Sequence, residues 1–372
     1  MKAEHPTNPR NSLNFSGGPG ALPETVLQQV QEAIIAVPDV GLSILGISHR
    51  SDWFAQIVAE TEANIKTLLN LPDDFHVLFL QGGATQQFSM IPMSWLRGRG
   101  APADYLHTGY WSGKSLPDAR LEGAVNVVWS GQQSGFHHLP ADGELRFSDT
   151  AAYLHYVSNE TVEGLQFHRV LGHDHVPRIC DMSSDFLSRR CEADRFSLIY
   201  AHAQKNLGPA GVTIVLLRNA LLERANTGLP GFMDYRNHIE ARSIFNTPPV
   251  FAIYVVYLVS RWLLAEIGGI AQMEAINRRK ADMLYDLLDR SEGFYQGKAA
   301  VKDRSIMNVA LNLPSAELET HFLADAAAAG FSGLAGHRSV GGIRASIYNA
   351  LTLQAVEKLV DFMQDFQHKH PS

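Results

Sequence analysis

Apolar residues recur at helical spacing from about Leu22 to Leu69, with Ile57, Ile65, Leu68 and Leu69 near a 3.6-residue period. The turn-rich stretch GLSILGISHRSDW divides that region in two. From Phe75 onward the period changes. FHVLFL (75–80), DYLHTG (104–109), AVNVVWS (124–130), AAYLHYVS (151–158), VPRICD (176–181), FSLIYAHAQ (196–204) and GVTIVLLR (211–218) are short runs rich in β-branched and aromatic residues. Helical or loop-like segments separate them, which predicts an α/β domain with a largely parallel central sheet. Pro249–Ile267 then reads as one long apolar helix and Met273–Asp289 as an amphipathic one. A compact α/β region closes the chain: strand SIMNVALNL, helix ELETHFLADAAAAG, strand IRASIYN and helix LQAVEKLVDFMQDF. Residues 1–12, polar and carrying Pro6 and Pro9, are expected to form a loose arm. The division that follows is a large domain over 13–265 and a small C-terminal domain over 266–372, with room for the N-terminal segment to pack on the latter.

Composition narrows the classes. With 372 residues, 45% hydrophobic and 19% charged, the chain is too ordinary for a disordered or fibrous protein. Its length exceeds what one core usually serves, which agrees with a large and a small domain. A formal charge of −7 gives no global reason to bind nucleic acid or an acidic membrane. Cys180 and Cys191 are too few for a disulfide scaffold and lack the clustering of a metal site, so no metal is expected. The longest uncharged apolar stretch, Pro248–Ser260, falls short of the roughly 18–20 residues of a membrane span. The N-terminus has no apolar signal segment, so a soluble cytoplasmic protein is expected.

Ligands in open parallel sheets collect beyond the carboxyl ends of the strands. Here those ends carry chemistry. Gly82-Gly83-Ala84-Thr85 follows the first strand and opens a helix, Tyr110-Trp111 follows the second, and Asn159-Glu160-Thr161 follows AAYLHYVS. VPRIC ends in Asp181, and FSLIYAHAQ ends beside Lys205. Each alone has an ordinary explanation: a turn, a core indole, turn chemistry, a capping carboxylate. Lys205 is the exception, because its Gly- and Ala-rich surroundings suit no solvated lysine. Pyridoxal phosphate chemistry needs all five together. The phosphate takes helix N-terminal N–H groups, the ring an aromatic face, the pyridinium nitrogen a carboxylate, and the aldehyde a lysine amine.

Seven blocks carry a family resemblance. They are NFSGGP (14–19), SHR (48–50), Tyr110-Trp111, SNET (158–161), QKNLGPAG (204–211), FNTPP (245–249) and GHRSVGGIRAS (336–346). Together, and in order, they resemble the phosphoserine aminotransferase family, among the class-V aminotransferases and the fold-type-I pyridoxal phosphate enzymes. The resemblance implies a homodimer with active sites shared across its interface. It makes Lys205 the Schiff-base lysine and Asp181 the pyridinium partner, Trp111 the stacking residue, and Thr161 the donor to the ring hydroxyl. Ala84, Thr85 and Gln204 match the phosphate cup, and Asn246 and Thr247 match residues that reach the partner's cofactor. Arg50 resembles a carboxylate contact, while His49, His337, Arg338 and Arg344 look like the pocket for the substrate's phosphate. The implied reaction is ping-pong transfer of the amino group of glutamate to 3-phosphohydroxypyruvate, with the related 3-hydroxy-2-oxo-4-phosphobutanoate of vitamin B6 synthesis as a second acceptor. Two positions depart: Thr85 and Gly17 stand where some members have Arg and Ser.

The basic cluster has support of its own. No acid occurs from Ala326 to Val356, where about three would be expected from 38 acids in 372 residues. Guanidinium groups suit a substrate bearing both phosphate and carboxylate. The remaining histidines, among them His137, His138 and His173, read as surface or core residues. Two rivals stay open. A same-fold alanine–glyoxylate aminotransferase would need fewer cations, and a cysteine desulfurase would need a mobile cysteine, which neither Cys180 nor Cys191 resembles. A catalytically silent binding protein of the same fold would have no need of Lys205 and Asp181.

Overall fold

The computed structural model describes residues 9–370. Nine strands make up the first two thirds: β1 Phe75–Gln81, β2 Ala103–His107, β3 Val125–Ser130, β4 Leu154–Val157, β5 Asn159–Glu160, β6 Leu165–Gln166, β7 Arg178–Asp181, β8 Leu198–His202 and β9 Val212–Arg218. Seven of them form the central sheet in the order β1-β9-β8-β7-β4-β2-β3. β9 runs antiparallel to both its neighbours, and every other pairing in this sheet is parallel. The predicted strands are present, most of them shorter, and β1 runs one residue longer, to Gln81. AAYLHYVS pairs only over Leu154–Val157, and the run before Lys205 stops at His202, so the lysine stands in the following turn.

The uninterrupted apolar runs reflect burial on both faces. Val77 and Phe79 of β1, with Ile214 and Leu216 of β9, pack toward helices Glu24–Ile35, Asp52–Leu69 and Val250–Ala265. Their alternates Leu78, Leu80, Val215 and Leu217 pack toward helices Ala84–Trp95 and Tyr110–Glu122. Helix Val250–Ala265 lies within the first of these cores, which accounts for its apolar character all round. Among the described residues no single helix is long and apolar enough to cross a membrane.

The chain turns by 90° between helices Val250–Ala265 and Ile270–Arg290. Gly268 and Gly269, at φ +85° and +98°, supply the left-handed backbone this break requires. Beyond it lie β10 Gln296–Gly297, β11 Asn308–Asn312 and β12 Ile343–Ser346, an antiparallel sheet of three strands, with helices Ala316–Ala328 and Leu353–Lys369. Their core holds Leu284, Leu288, Val309, Leu311, Ile343, Val356, Leu359 and Met363, and also Leu13 and Phe15 from the start of the chain. Phe15 exchanges backbone hydrogen bonds with Ser332 and Ser346. Of the expected N-terminal arm, residues 1–8 lie outside the described residues, and Pro9–Ser12 form one helical turn.

Candidate active site

Strand order brings the candidate residues together. β8, β7, β4 and β2 are neighbours and run parallel, so their carboxyl ends open on one side of the sheet. Lys205 follows β8, Asp181 ends β7, Thr161 follows β4 and Trp111 follows β2. A cavity of about 200 Å³ lies between them, lined by Ala84, Thr85, Trp111, Thr161, Asp181, Gln204 and Lys205. Asn159, Ser183, Ser184 and His202 complete much of the wall, and sequence reasoning had assigned them no role. Ser183 and His202 sit within two residues and at the end of strands already singled out, a usable signal.

The walls differ in chemistry. Trp111 Nε1 donates to Thr161 Oγ1 at 2.9 Å, which fixes the plane of the indole. Lys205 is 9% exposed; its Nζ lies 5.9 Å from the Trp111 ring centre and donates to the Gly17 carbonyl at 2.6 Å. The Tyr348 hydroxyl donates to the same carbonyl at 3.0 Å. At the far end, helix Ala84–Trp95 starts behind Gly83 with no side-chain cap, so its first N–H groups are available to an anion. Gly82, at φ +87°, makes the turn that aims this helix start; a Cβ there would stand 2.2 Å from Gln86 Oε1.

Asp181 is 4% exposed, and its Oδ1 accepts from the Ser183 N–H at 2.8 Å. Burial pushes its carboxyl up to about 6, against the pull of the Ser183 hydroxyl, its N–H and Lys205. A cation placed against it would restore the charged form. His202 is held down to about 4 by burial and by Lys205, so it stays neutral, and its Nε2 accepts from the Gly211 N–H at 3.3 Å. The cavity thus offers an anion site at one end, a flat aromatic face, a carboxylate for a cationic ring nitrogen and an amine. Those are the complements of a phosphorylated pyridine aldehyde. Among the described residues no cluster of His, Cys, Asp or Glu is suited to a metal ion.

The sequence pattern of class-V aminotransferases matches residues 12–359. The phosphoserine aminotransferase of Rhodopirellula baltica is 46% identical over 365 residues, spanning 98% of this chain and 97% of its own. The chain belongs to the class-V aminotransferase family. Among solved structures, phosphoserine aminotransferase from Bacillus circulans subsp. alkalophilus superposes with a TM-score of 0.92 at 44% identity, covering 95% of this chain and 98% of its own. PLP-bound phosphoserine aminotransferase from Trichomonas vaginalis gives 0.88 at 35% identity, covering 95% and 99%.

Within this family frame, the cationic residues fall into separate places. Arg344 on β12 lies beside the cavity: its Nη1 donates to the Thr161 carbonyl at 3.4 Å. A Cβ on Gly17 would stand 2.2 Å from Arg344 Nη2, so glycine at this position makes room for the guanidinium. His337 packs on the Tyr110 ring, centres 4.6 Å apart, and Arg338 next to it is exposed. His49 and Arg50 occupy the turn before helix Asp52–Leu69, and no hydrogen bond joins their side chains to the cavity wall. Asn246 and Thr247 are not in the cavity lining either. They pair with Gln81 at the end of β1: Asn246 Nδ2 donates to its Oε1 at 2.8 Å, and its Nε2 donates to the Thr247 carbonyl. Thr247 makes no helix cap. Helix Val250–Ala265 begins behind Pro249 with no side-chain cap bond, which removes the ordinary explanation for this dipeptide.

Proposed function

We propose that this chain is a phosphoserine aminotransferase that uses pyridoxal phosphate to move the amino group of L-glutamate to 3-phosphohydroxypyruvate, giving O-phospho-L-serine and 2-oxoglutarate. The observation that carries the reading is the single cavity in which Lys205, Asp181, Trp111 and an uncapped helix start converge. The bound cofactor supplies an electron sink for charge developing at the substrate's α-carbon. The chain's own groups do the rest. Ala84, Thr85 and Gln204 hold the phosphate, with no arginine at Thr85 and therefore with neutral donors. Trp111 stacks on the ring. Thr161, already accepting from the indole, keeps its hydroxyl proton for the ring oxygen. Asp181 holds the ring-nitrogen proton. Lys205 would hold the aldehyde through its amine, and as a free amine it would take up the proton leaving the α-carbon and give it back on the product side, with the Gly17 carbonyl as the acceptor that keeps the amine at that place.

Substrate recognition follows from where the cations stand. Arg344 and Lys205 share Gly17, one through its missing side chain and the other through its carbonyl. The carboxylate next to the reacting carbon must lie close to that amine, so Arg344 suits the carboxylate common to both substrates. His337 and Arg338, farther out along Tyr110, suit the phosphate of the acceptor, with His49 and Arg50 as further cations. Asn246 and Thr247 would serve the partner's cofactor in a homodimer, and residues 266–372 form the small domain. The test is amino-acceptor choice. With glutamate as donor, 3-phosphohydroxypyruvate should exceed pyruvate and glyoxylate in kcat/KM by at least about a hundredfold, the scale of a lost charge-assisted contact. Comparable values for all three would refute the assignment.

A further inference from the structure

Two buried carboxyl groups hold the start of helix Tyr110–Glu122, and the proposed chemistry uses neither. Glu160 is 1% exposed. It accepts from the backbone N–H groups of Trp111 and Ser112, each at 3.0 Å, and from Thr108 Oγ1 at 3.3 Å. Glu163 accepts from the Tyr110 N–H at 2.9 Å through Oε1, while its Oε2 is sealed from water without a partner. Both crowd Gly109. A Cβ there would stand 2.5 Å from Glu163 Oε2 and 2.7 Å from Glu160 Cδ.

A helix N-terminus favours one negative charge at such a place, but two sealed together repel. Of the other charged groups, Lys298 draws Glu163 down by less than burial and Glu160 raise it, and Asp181 adds to the repulsion on Glu160. Lys298 and His137 line a second cavity that Glu163 also borders, Lys114 and His337 lie over the Tyr110 ring, and Arg344 bonds the Thr161 carbonyl. None of them bonds Oε2. Burial first, then Glu160, pushes Glu163 up to about 8. Burial raises Glu160 too, but three donors face its oxygens where Glu163 has one, so Glu163 is the group that keeps a proton and serves Tyr110 as a neutral acceptor.

We propose that Glu160 and Glu163 are positioning residues for Trp111: a carboxylate and a carboxylic acid together fix the first helical turn, and the indole keeps its place only while Glu163 keeps its proton. The inference rests on the reading of Trp111 as the face on which the cofactor stacks. Ionising Glu163 sets a second charge beside the first and separates the two groups. The N–H groups of Tyr110, Trp111 and Ser112 move with them.

Two measurements on the full-length protein test this. One is the tryptophan emission of Trp111, taken as the difference from Trp111→Phe without cofactor. The other is the dissociation constant of pyridoxal phosphate, both from about pH 6.5 to 10. The expected result is an emission change centred on the alkaline side of neutrality, with a dissociation constant that rises about tenfold through it. Glu163→Gln, which matches the protonated group in shape and charge, should abolish the emission change and hold the rise below about threefold. Glu160→Gln should weaken cofactor binding about tenfold at pH 7, because an amide has one oxygen for two N–H groups. An emission change that survives in Glu163→Gln, or none in the parent protein, overturns the proposal. The expected emission change with an unmoved cofactor affinity would uphold the positioning role and overturn the stacking role of Trp111. Glu163→Gln carries the test alone if Glu160→Gln does not fold.

Discussion

Replacing Asp181 by Asn should make the cofactor-free protein more stable and the enzyme nearly inert. The side chain is 4% exposed and has one N–H donor, from Ser183 at 2.8 Å. Burial outweighs the Ser183 hydroxyl, that N–H and the field of Lys205, and it lifts the carboxyl from 3.8 to about 6. A shift of about two units corresponds to about 3 kcal/mol. The sign follows from proton binding. Between 3.8 and about 6 the folded carboxyl holds a proton that the unfolded one has released, so stability falls as pH rises through that window. Above it the whole penalty is in place. Asn has no charge to desolvate and keeps an oxygen for the Ser183 N–H. Urea unfolding of cofactor-free Asp181→Asn and parent protein, at one protein concentration, should show a gain of about 2–3 kcal/mol at pH 8 that shrinks toward nothing near pH 4. Cofactor-dependent transamination should meanwhile be almost lost, because an amide cannot hold the pyridinium proton. A variant no more stable than the parent at pH 8, or a gain that ignores pH, would refute this account of Asp181.

Lys205→Ala should abolish multiple-turnover transamination while leaving far-ultraviolet circular dichroism unchanged; sustained turnover would exclude Lys205 as anchor and proton carrier. Arg344→Ala should weaken glutamate and the phosphorylated acceptor by similar factors in kcat/KM, about a hundredfold or more for an unpaired buried charge. A loss confined to the phosphorylated substrate would move Arg344 to the phosphate. Lys280→Met should cost about 3–5 kcal/mol in denaturation, since it leaves three carbonyls without partners; a loss under about 1 kcal/mol would show that they find others. Mixing Asn246→Asp/Thr247→Ala with Lys205→Ala under subunit exchange should recover part of the activity, because a hybrid dimer rebuilds one complete site. No recovery in verified hybrid dimers would exclude the shared site.

Lys280 shows why part of the structure was hidden in the sequence. In helix Ile270–Arg290 it lies on the buried stripe with Met273, Asn277, Ala281 and Leu284, although composition makes it a polar position of an amphipathic helix. Its fully buried Nζ donates to the carbonyls of Ile347, Tyr348 and Leu351 at 3.0, 2.8 and 3.0 Å. That turn carries the tyrosine that bonds Gly17. The seven strands of the central sheet were readable because burial on both faces writes continuous apolar runs. The ribbon of β5 and β6 was not, because two residues per strand leave no period to detect. That Lys205, Asp181, Trp111 and Thr161 come together was readable, because the carboxyl ends of neighbouring parallel strands open on one side of the sheet. Glu160 and Glu163 stood in the same text but act through backbone N–H groups on another element, a pairing no spacing rule records.

Gly17 changes meaning between the two levels. In the sequence it is a departure, a place where a side-chain contact found in some relatives is missing. In the structure the missing atom is the point, because the Arg344 guanidinium occupies the neighbourhood of its would-be Cβ. Gly17 has no positive φ, so the backbone does not demand glycine there; what a side chain would meet is the Arg344 guanidinium, which would have to shift. A side chain at this position and a guanidinium in this pose exclude each other. A relative with serine at the matching position must therefore carry its arginine differently, and the two positions are expected to act as a pair. The carbonyl of the same glycine receives Lys205 and Tyr348. The proposed carboxylate contact, Arg344, and the proposed reactive amine, Lys205, thus meet at one residue, and displacing the arginine there would act on the same ground that holds the lysine.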